Sequence, residues 1–172
     1  SMMPGFPMVT GKPDKRKSGT AVWVITRSGL SFGKDLLKKE PDMVLFVLNR
    51  LKVDSRSERI HKIDQLASAV ETEFHQFARH VFIFSTGIAV RVIASLLKSK
   101  LTDPAVVVMD DRGLHAISLV SGHLGGANEL AVKIGDLTGA RPVITTATDI
   151  HGLPSIDMVA KQAGLIIETP DN

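Results

Sequence analysis

Three stretches of the sequence combine hydroxyls, glycines and one imidazole at spacings that suit chemistry on an anionic or carbonyl-bearing ligand. In Ser85-Thr86-Gly87, two hydroxyls and a glycine sit where an apolar run gives way to a helical pattern. A helix start leaves backbone N–H groups unpaired, so small polar residues there suit a carboxylate or phosphate. The same residue types also make a plain helix cap. The second stretch, Ser121 to Glu129, reads Ser-Gly-His-Leu-Gly-Gly-Ala-Asn-Glu. Gly122, Gly125 and Gly126 are entropically costly unless the backbone needs unusual dihedrals or a close approach to a ligand. His123 among them suits a general base or a donor to a developing oxyanion. Asn128 and Glu129 fall in the first turn of the next helix, one able to contact a ligand and one to orient His123. A tight turn carrying a surface histidine is the competing reading. The third stretch, Thr145, Thr146, Thr148 and Asp149, ends a strand. Its threonines can hydrogen-bond a ligand, although threonine is also simply a good strand residue. Asp149 suits a turn cap and is a further acid/base candidate.

Other reactive types are less suggestive. Asp110-Asp111 after an apolar run resembles the ribose-binding motif of phosphoribosyltransferases, but Arg112-Gly-Leu-His-Ala-Ile follows where a phosphate loop should stand, so both read as turn residues. His61, His75 and His80 are expected on the polar face of a helix or beside it. No pair of histidines shows metal-binding spacing, so no protein-bound metal is expected. Ser31-Phe-Gly-Lys34 does not complete a phosphate loop.

The elements that must position these residues alternate short apolar runs with helical segments, which predicts a three-layer α/β/α domain on a mostly parallel sheet. Ala21–Ile25, Met43–Leu48, Val81–Phe84, Ala105–Met109 and Pro142–Thr145 read as strands. His115–Val120 reads as a sixth, joined through Asp111-Arg112-Gly113 in an antiparallel hairpin. Helices are expected through Leu36-Leu37, from Ile60 to Phe77, from Ile88 to Leu97 as a largely buried element, up to Leu137, and from Ser155 to Gly164. The helix from Ile60 rests on Ile60, Ile63, Leu66, Val70, Phe74 and Phe77 recurring every three or four positions. In open sheets, ligands collect at the carboxyl ends of strands, so the three polar stretches are expected to line one cleft there.

Composition narrows the function classes. There is no cysteine, which removes disulfides, thiolate nucleophiles and cysteine-held metals and fits a cytoplasmic setting. The formal charge is +3, and residues 1–20 alone carry +3 through Lys12, Lys15, Arg16 and Lys17 against Asp14. Residues 21–172 therefore sum to zero, which argues against a nucleic-acid partner. No apolar run is long enough for a membrane span. Residues 1–20 read as a disordered tail in which Ser1-Met2 is a cloning remnant, and residues 21–172 as one α/β domain.

Four pieces together resemble the N-terminal region of the cobalamin biosynthesis protein CbiG family. They are Ser85-Thr-Gly-Ile-Ala-Val-Arg91, Leu101-Thr-Asp-Pro-Ala-Val-Val-Val108, Ser118-Leu-Val-Ser-Gly-His-Leu-Gly-Gly-Ala-Asn-Glu-Leu130 and Pro142-Val-Ile-Thr-Thr-Ala-Thr-Asp149. The resemblance implies a hydrolase that opens the δ-lactone of cobalt-precorrin-5A and releases acetaldehyde, giving cobalt-precorrin-5B. It implies no cofactor of the protein's own, because cobalt arrives with the substrate. It also implies a C-terminal domain as partner, without which this part is either active or a tetrapyrrole-binding module. On that reading His123, Glu129 and Asp149 are the catalytic candidates. Ser85, Thr86, Gly87, Arg91, Ser121, Gly122, Gly125, Gly126, Asn128, Thr145, Thr146 and Thr148 are the substrate contacts, with Arg91 partnering a carboxylate. The oligomeric state is not legible in the sequence.

Overall fold

A computed structural model describes residues 18–54 and 56–147. The strands are β1 (Thr20–Val24), β2 (Met43–Leu48), β3 (Ile60–Ile63), β4 (Arg79–Ile83), β5 (Ala105–Met109), β6 (His115–Val120) and β7 (Arg141–Val143). They form one sheet in the order β3-β2-β1-β4-β5-β6-β7. β3, β2, β1, β4 and β5 are parallel. β6 runs antiparallel to β5, and β7 runs parallel to β6. The expected α/β fold and hairpin are both present.

The central runs form strands because they are largely apolar on both faces, as a sheet covered by helices on both sides requires. All five residues of β1 and of β5 are buried. On one face, Val22, Val24, Leu45, Val81, Val107 and Met109 pack under α1 (Arg27–Lys39) and α4 (Ala127–Thr138). On the other, Trp23, Phe46, Phe82 and Val106 pack under α2 (Leu66–Glu73) and α3 (Thr86–Ile93). Thr20, expected in the tail, is 2% exposed and starts β1.

Three expectations need correction. Ile60 and Ile63 belong to the edge strand β3, which pairs Leu45 with Ile60 and Leu48 with Ile63. The helix begins only at Leu66 and passes into a 3-10 turn over Phe74–Gln76. His61 is therefore on a strand, and His80 is a core residue of β4 with no exposed surface. His80 accepts from Trp23 Nε1 at its Nδ1 (3.0 Å), and its Nε2 lies 2.7 Å from the Phe74 carbonyl. With Nδ1 accepting, the ring proton sits on Nε2 and donates to that carbonyl. Burial is the main cause that lowers its pKa, to about 4. Finally, α3 is apolar but not largely buried. Only Ala89 and Ile93 are covered, and Val90 is 47% exposed. The helix expected from Ser155 to Gly164 lies outside the described residues.

Candidate functional site

Chain direction decides where each candidate residue stands. β1 leads through α1 to β2 on one side, while β4 leads through α3 to β5 on the other. The connections thus diverge between adjacent strands, the switch point at which open α/β sheets bind ligands. Two helix starts flank that point. Thr26 caps α1, its Oγ1 accepting from the Gly29 N–H at 3.0 Å. Ser85 caps α3, its Oγ accepting from the Ile88 N–H at 3.4 Å. The leading Thr86 and Gly87 amides are those a helix start leaves without intrahelical acceptors. Ser85, Thr86 and Gly87 are all exposed, and a Cβ at Gly87 would meet nothing within 4 Å. The start of α3 is thus open to solvent, and its dipole favours an anion.

Sequence reasoning missed Thr26, Arg27 and Ser28, although Thr-Arg-Ser-Gly after an apolar strand repeats the polar-then-glycine signal of Ser85-Thr86-Gly87. It also missed Arg50, which donates to the Ile25 carbonyl at 3.0 Å and so reaches the end of β1. Asp110 is the expected turn residue. Its carboxylate accepts from the Leu114 and His115 N–H groups at 3.1 and 2.8 Å. Partial burial would raise its pKa, but the backbone donors outweigh that and hold it below the usual carboxylate value. Asp111 accepts from Thr26 Oγ1 at 3.2 Å, tying the hairpin to the cap of α1.

The Gly-rich loop is elsewhere. β6 reverses direction, so Val120 pairs with Val106 near the start of β5, and the loop from Ser121 to Gly126 lies at the amino edge of the parallel strands. Thr145 and Thr146 follow β7 to the same edge. The expected single cleft does not exist. His123 and Thr146 share one edge and Thr86 stands on the other, about 16 Å away if a five-residue strand rises about 3.3 Å per residue.

Within the loop the chain satisfies itself. Ser121 takes a positive φ of 60°, and the Ala127 and Asn128 N–H groups donate to the Ser121 and Gly122 carbonyls at 3.0 and 3.1 Å. The Gly126 N–H donates to the His123 carbonyl at 3.1 Å and is thus committed within the loop. A Cβ at Gly125 would lie 2.4 Å from Ser121 Cβ, and one at Gly122 would lie 2.9 Å from Asn128 Oδ1. Gly126 has φ +84°. The glycines are explained by closure of the loop alone.

Asn128 is a strut between the loop, β6 and the segment after β7. It is fully buried, accepts from Ser118 Oγ at 2.7 Å and donates to Thr146 Oγ1 at 2.9 Å. His123 is half-buried, and Glu129 is exposed on the first turn of α4. Glu129 lines an open depression of about 460 Å³ with Thr20, Arg79, Gly125, Gly126 and Lys133. Arg79 is fixed there, donating from Nε to Thr20 Oγ1 at 2.9 Å and from Nη2 to the Ser18 carbonyl at 2.6 Å. Arg91 is exposed on α3. Thr148 and Asp149 lie outside the described residues. Among the described residues, no group of three or more His, Asp or Glu side chains is placed to hold a metal ion. No helix among them is long and apolar enough to cross a membrane.

Fold and crevice define a doubly wound α/β domain with an open, anion-favouring switch point and a reversed edge pair. Residues 68–149 match the family described as Cobalamin synthesis G N-terminal. It is 40% identical over 156 residues to the cobalt-precorrin-5A hydrolase of Salmonella typhimurium strain LT2, covering 90% of this chain and 42% of that protein. It is 34% identical over 162 residues to the cobalt-precorrin-5A hydrolase of Priestia megaterium, covering 93% and 43%. The chain thus spans less than half the length of these curated relatives. Among solved structures, a cobalamin biosynthesis protein G homolog from Sulfolobus solfataricus shares the fold with a TM-score of 0.56 at 23% identity, over 86% of this chain and 41% of that one.

Proposed function

We propose that the chain is the N-terminal part of a cobalt-precorrin-5A hydrolase and that it holds the corrinoid by its carboxylate arms at the switch-point crevice. The observation that carries the reading is similarity to relatives of that name over at least 90% of the chain. The crevice supplies the physical fit. Acetate and propionate groups on a macrocycle suit the amides of Thr86 and Gly87, the hydroxyls of Ser85 and Thr86, and the cation of Arg91. The reaction then opens the substrate δ-lactone with water and releases acetaldehyde, leaving cobalt-precorrin-5B. Cobalt enters as part of the substrate, so the domain positions and desolvates rather than lending a cofactor. The acid/base groups come in part from the remaining length found in the relatives.

A second reading keeps the chemistry on this chain with His123 as general base and Glu129 or Asp149 in support. The depression beside Gly125, Gly126 and Glu129 favours it. The two edges are too far apart to act on the same atoms, so one experiment separates the readings. Thr86→Asp and His123→Ala are compared in an enzyme with all its domains, by turnover and by spectral titration with a cobalt-corrinoid. The crevice reading expects Thr86→Asp to weaken binding at least 10-fold and His123→Ala to leave turnover near wild type. Loss of about 100-fold or more in turnover for His123→Ala, the scale for a positioned base, with binding intact in Thr86→Asp, would move the reaction to the amino edge.

A further inference from the structure

The amino edge is unusually apolar for an exposed surface. Five large hydrophobic side chains are exposed among the described residues, and Leu97 (39%), Leu101 (67%) and Leu124 (72%) all lie on loops at this edge. These loops are built, not slack. Asp103 accepts from the Lys98 and Ser99 N–H groups at 2.9 and 3.1 Å, and its carbonyl accepts from Ser121 Oγ at 3.2 Å, which joins the loop of Leu97 and Leu101 to the loop of Leu124. The surface is also basic, with Lys98 and Lys100 exposed between the leucines.

Leucines held outward on hydrogen-bonded loops, with two lysines between Leu97 and Leu101, fit an apolar partner that carries acid. The sequence contains one tethered to the spot. The described chain leaves this edge at Ala147, where Thr146 is pinned by Asn128. Residues 148–172 carry Asp149, Asp157, Glu168 and Asp171 against Lys161 alone, a net of −3. They also hold Ile150, Leu153, Ile156, Val159, Leu165 and Ile166. We propose that residues 148–172 dock on the amino edge, covering Leu97, Leu101 and Leu124 and pairing their carboxylates with Lys98 and Lys100. The tether gives the segment a high effective concentration at the surface, so weak contacts suffice.

The test is a thermodynamic cycle on four proteins: the full chain and a chain ending at Ala147, each with and without Leu101→Asp plus Leu124→Asp. Melting is followed by circular dichroism. Exposed leucines on a bare surface tolerate aspartate, whereas covered ones do not. The paired substitution should lower Tm by about 5 °C in the full chain and by under about 1 °C in the shortened one. Equal shifts in both backgrounds, or none in either, would overturn the proposal. A charge exchange gives an independent arm. Lys98→Glu plus Lys100→Glu should lower Tm in the full chain, and adding Asp157→Lys plus Glu168→Lys should restore at least half the loss. Failure to restore, or the same loss without residues 148–172, would count against docking.

Discussion

Titrating one core histidine should make the fold sensitive to mild acid. His80 is fully buried, and its two ring nitrogens are committed to the Trp23 indole and the Phe74 carbonyl. Its pKa falls from 6.5 to about 4, chiefly because burial penalises the imidazolium. A second proton would go on Nδ1, and Trp23 Nε1–H would then face another donor. The folded pKa is depressed below the unfolded one, so between pH 6.5 and 4 the unfolded chain binds more protons. Stability is then fully present above about pH 6.5 and is lost as pH falls toward 4. A shift of about 2.5 units at 1.36 kcal/mol each amounts to about 3 kcal/mol. Urea unfolding followed by circular dichroism should show the midpoint falling from pH 7 to pH 5, before most carboxylates protonate, with a slope approaching 1.36 kcal/mol per pH unit near pH 5. His80→Gln retains an acceptor and a donor but cannot titrate. It should be less stable at pH 7 and lose most of that slope. The same slope in His80→Gln would show that the acid sensitivity lies elsewhere.

Other outcomes follow from single contacts. Asn128→Leu leaves Ser118 Oγ and Thr146 Oγ1 without their buried partner and should cost about 2–4 kcal/mol in urea unfolding. Gly113 has φ +70°, and a Cβ there would stand 2.4 Å from the Phe32 ring. Gly113→Ala should therefore destabilise by about 1–3 kcal/mol, and adding Phe32→Ala should relieve the contact but not the dihedral strain, a non-additivity that a double-mutant cycle reads directly. Thr86→Asp places a carboxylate at a helix start and should leave Tm unchanged or raise it, even as it repels a corrinoid. A fall in Tm of several degrees would show that Thr86 is a structural residue.

The sequence made the fold legible wherever burial was complete. Met43–Leu48 and Ala105–Met109 are continuous apolar runs, and their strand limits are those expected. β3 hid because it is a short edge strand. Ile60, His61 and Ile63 are only half-buried, so no clean alternation marks it. The spacing from Ile60 through Ile63 to Leu66 then mimics a helical stripe across the strand and the helix after it. The candidate site was legible in its pieces but not in its assembly. The hairpin through Asp111-Arg112-Gly113 was expected and is present. Its consequence is that β6 and β7 both end at the opposite edge, which carries His123 and Thr146 away from Thr86. Three glycines in five positions signalled a demanding backbone. Residue types alone could not say that the demand came from Ser121 and Asn128 rather than from a ligand.

The chain has one tryptophan, and its placement makes it a natural optical reporter. Trp23 stacks on Phe46 with ring centroids 4.2 Å apart, is fully enclosed, and gives its indole N–H to His80. Its emission should be blue-shifted in the folded state and move to the red on unfolding, with no second indole to blur the change. The residue lies in β1, the strand that ends at the crevice. A coloured macrocycle bound there would quench it by energy transfer without shifting its wavelength. Intensity and wavelength would thus report occupancy and folding as separate signals from an unlabelled protein.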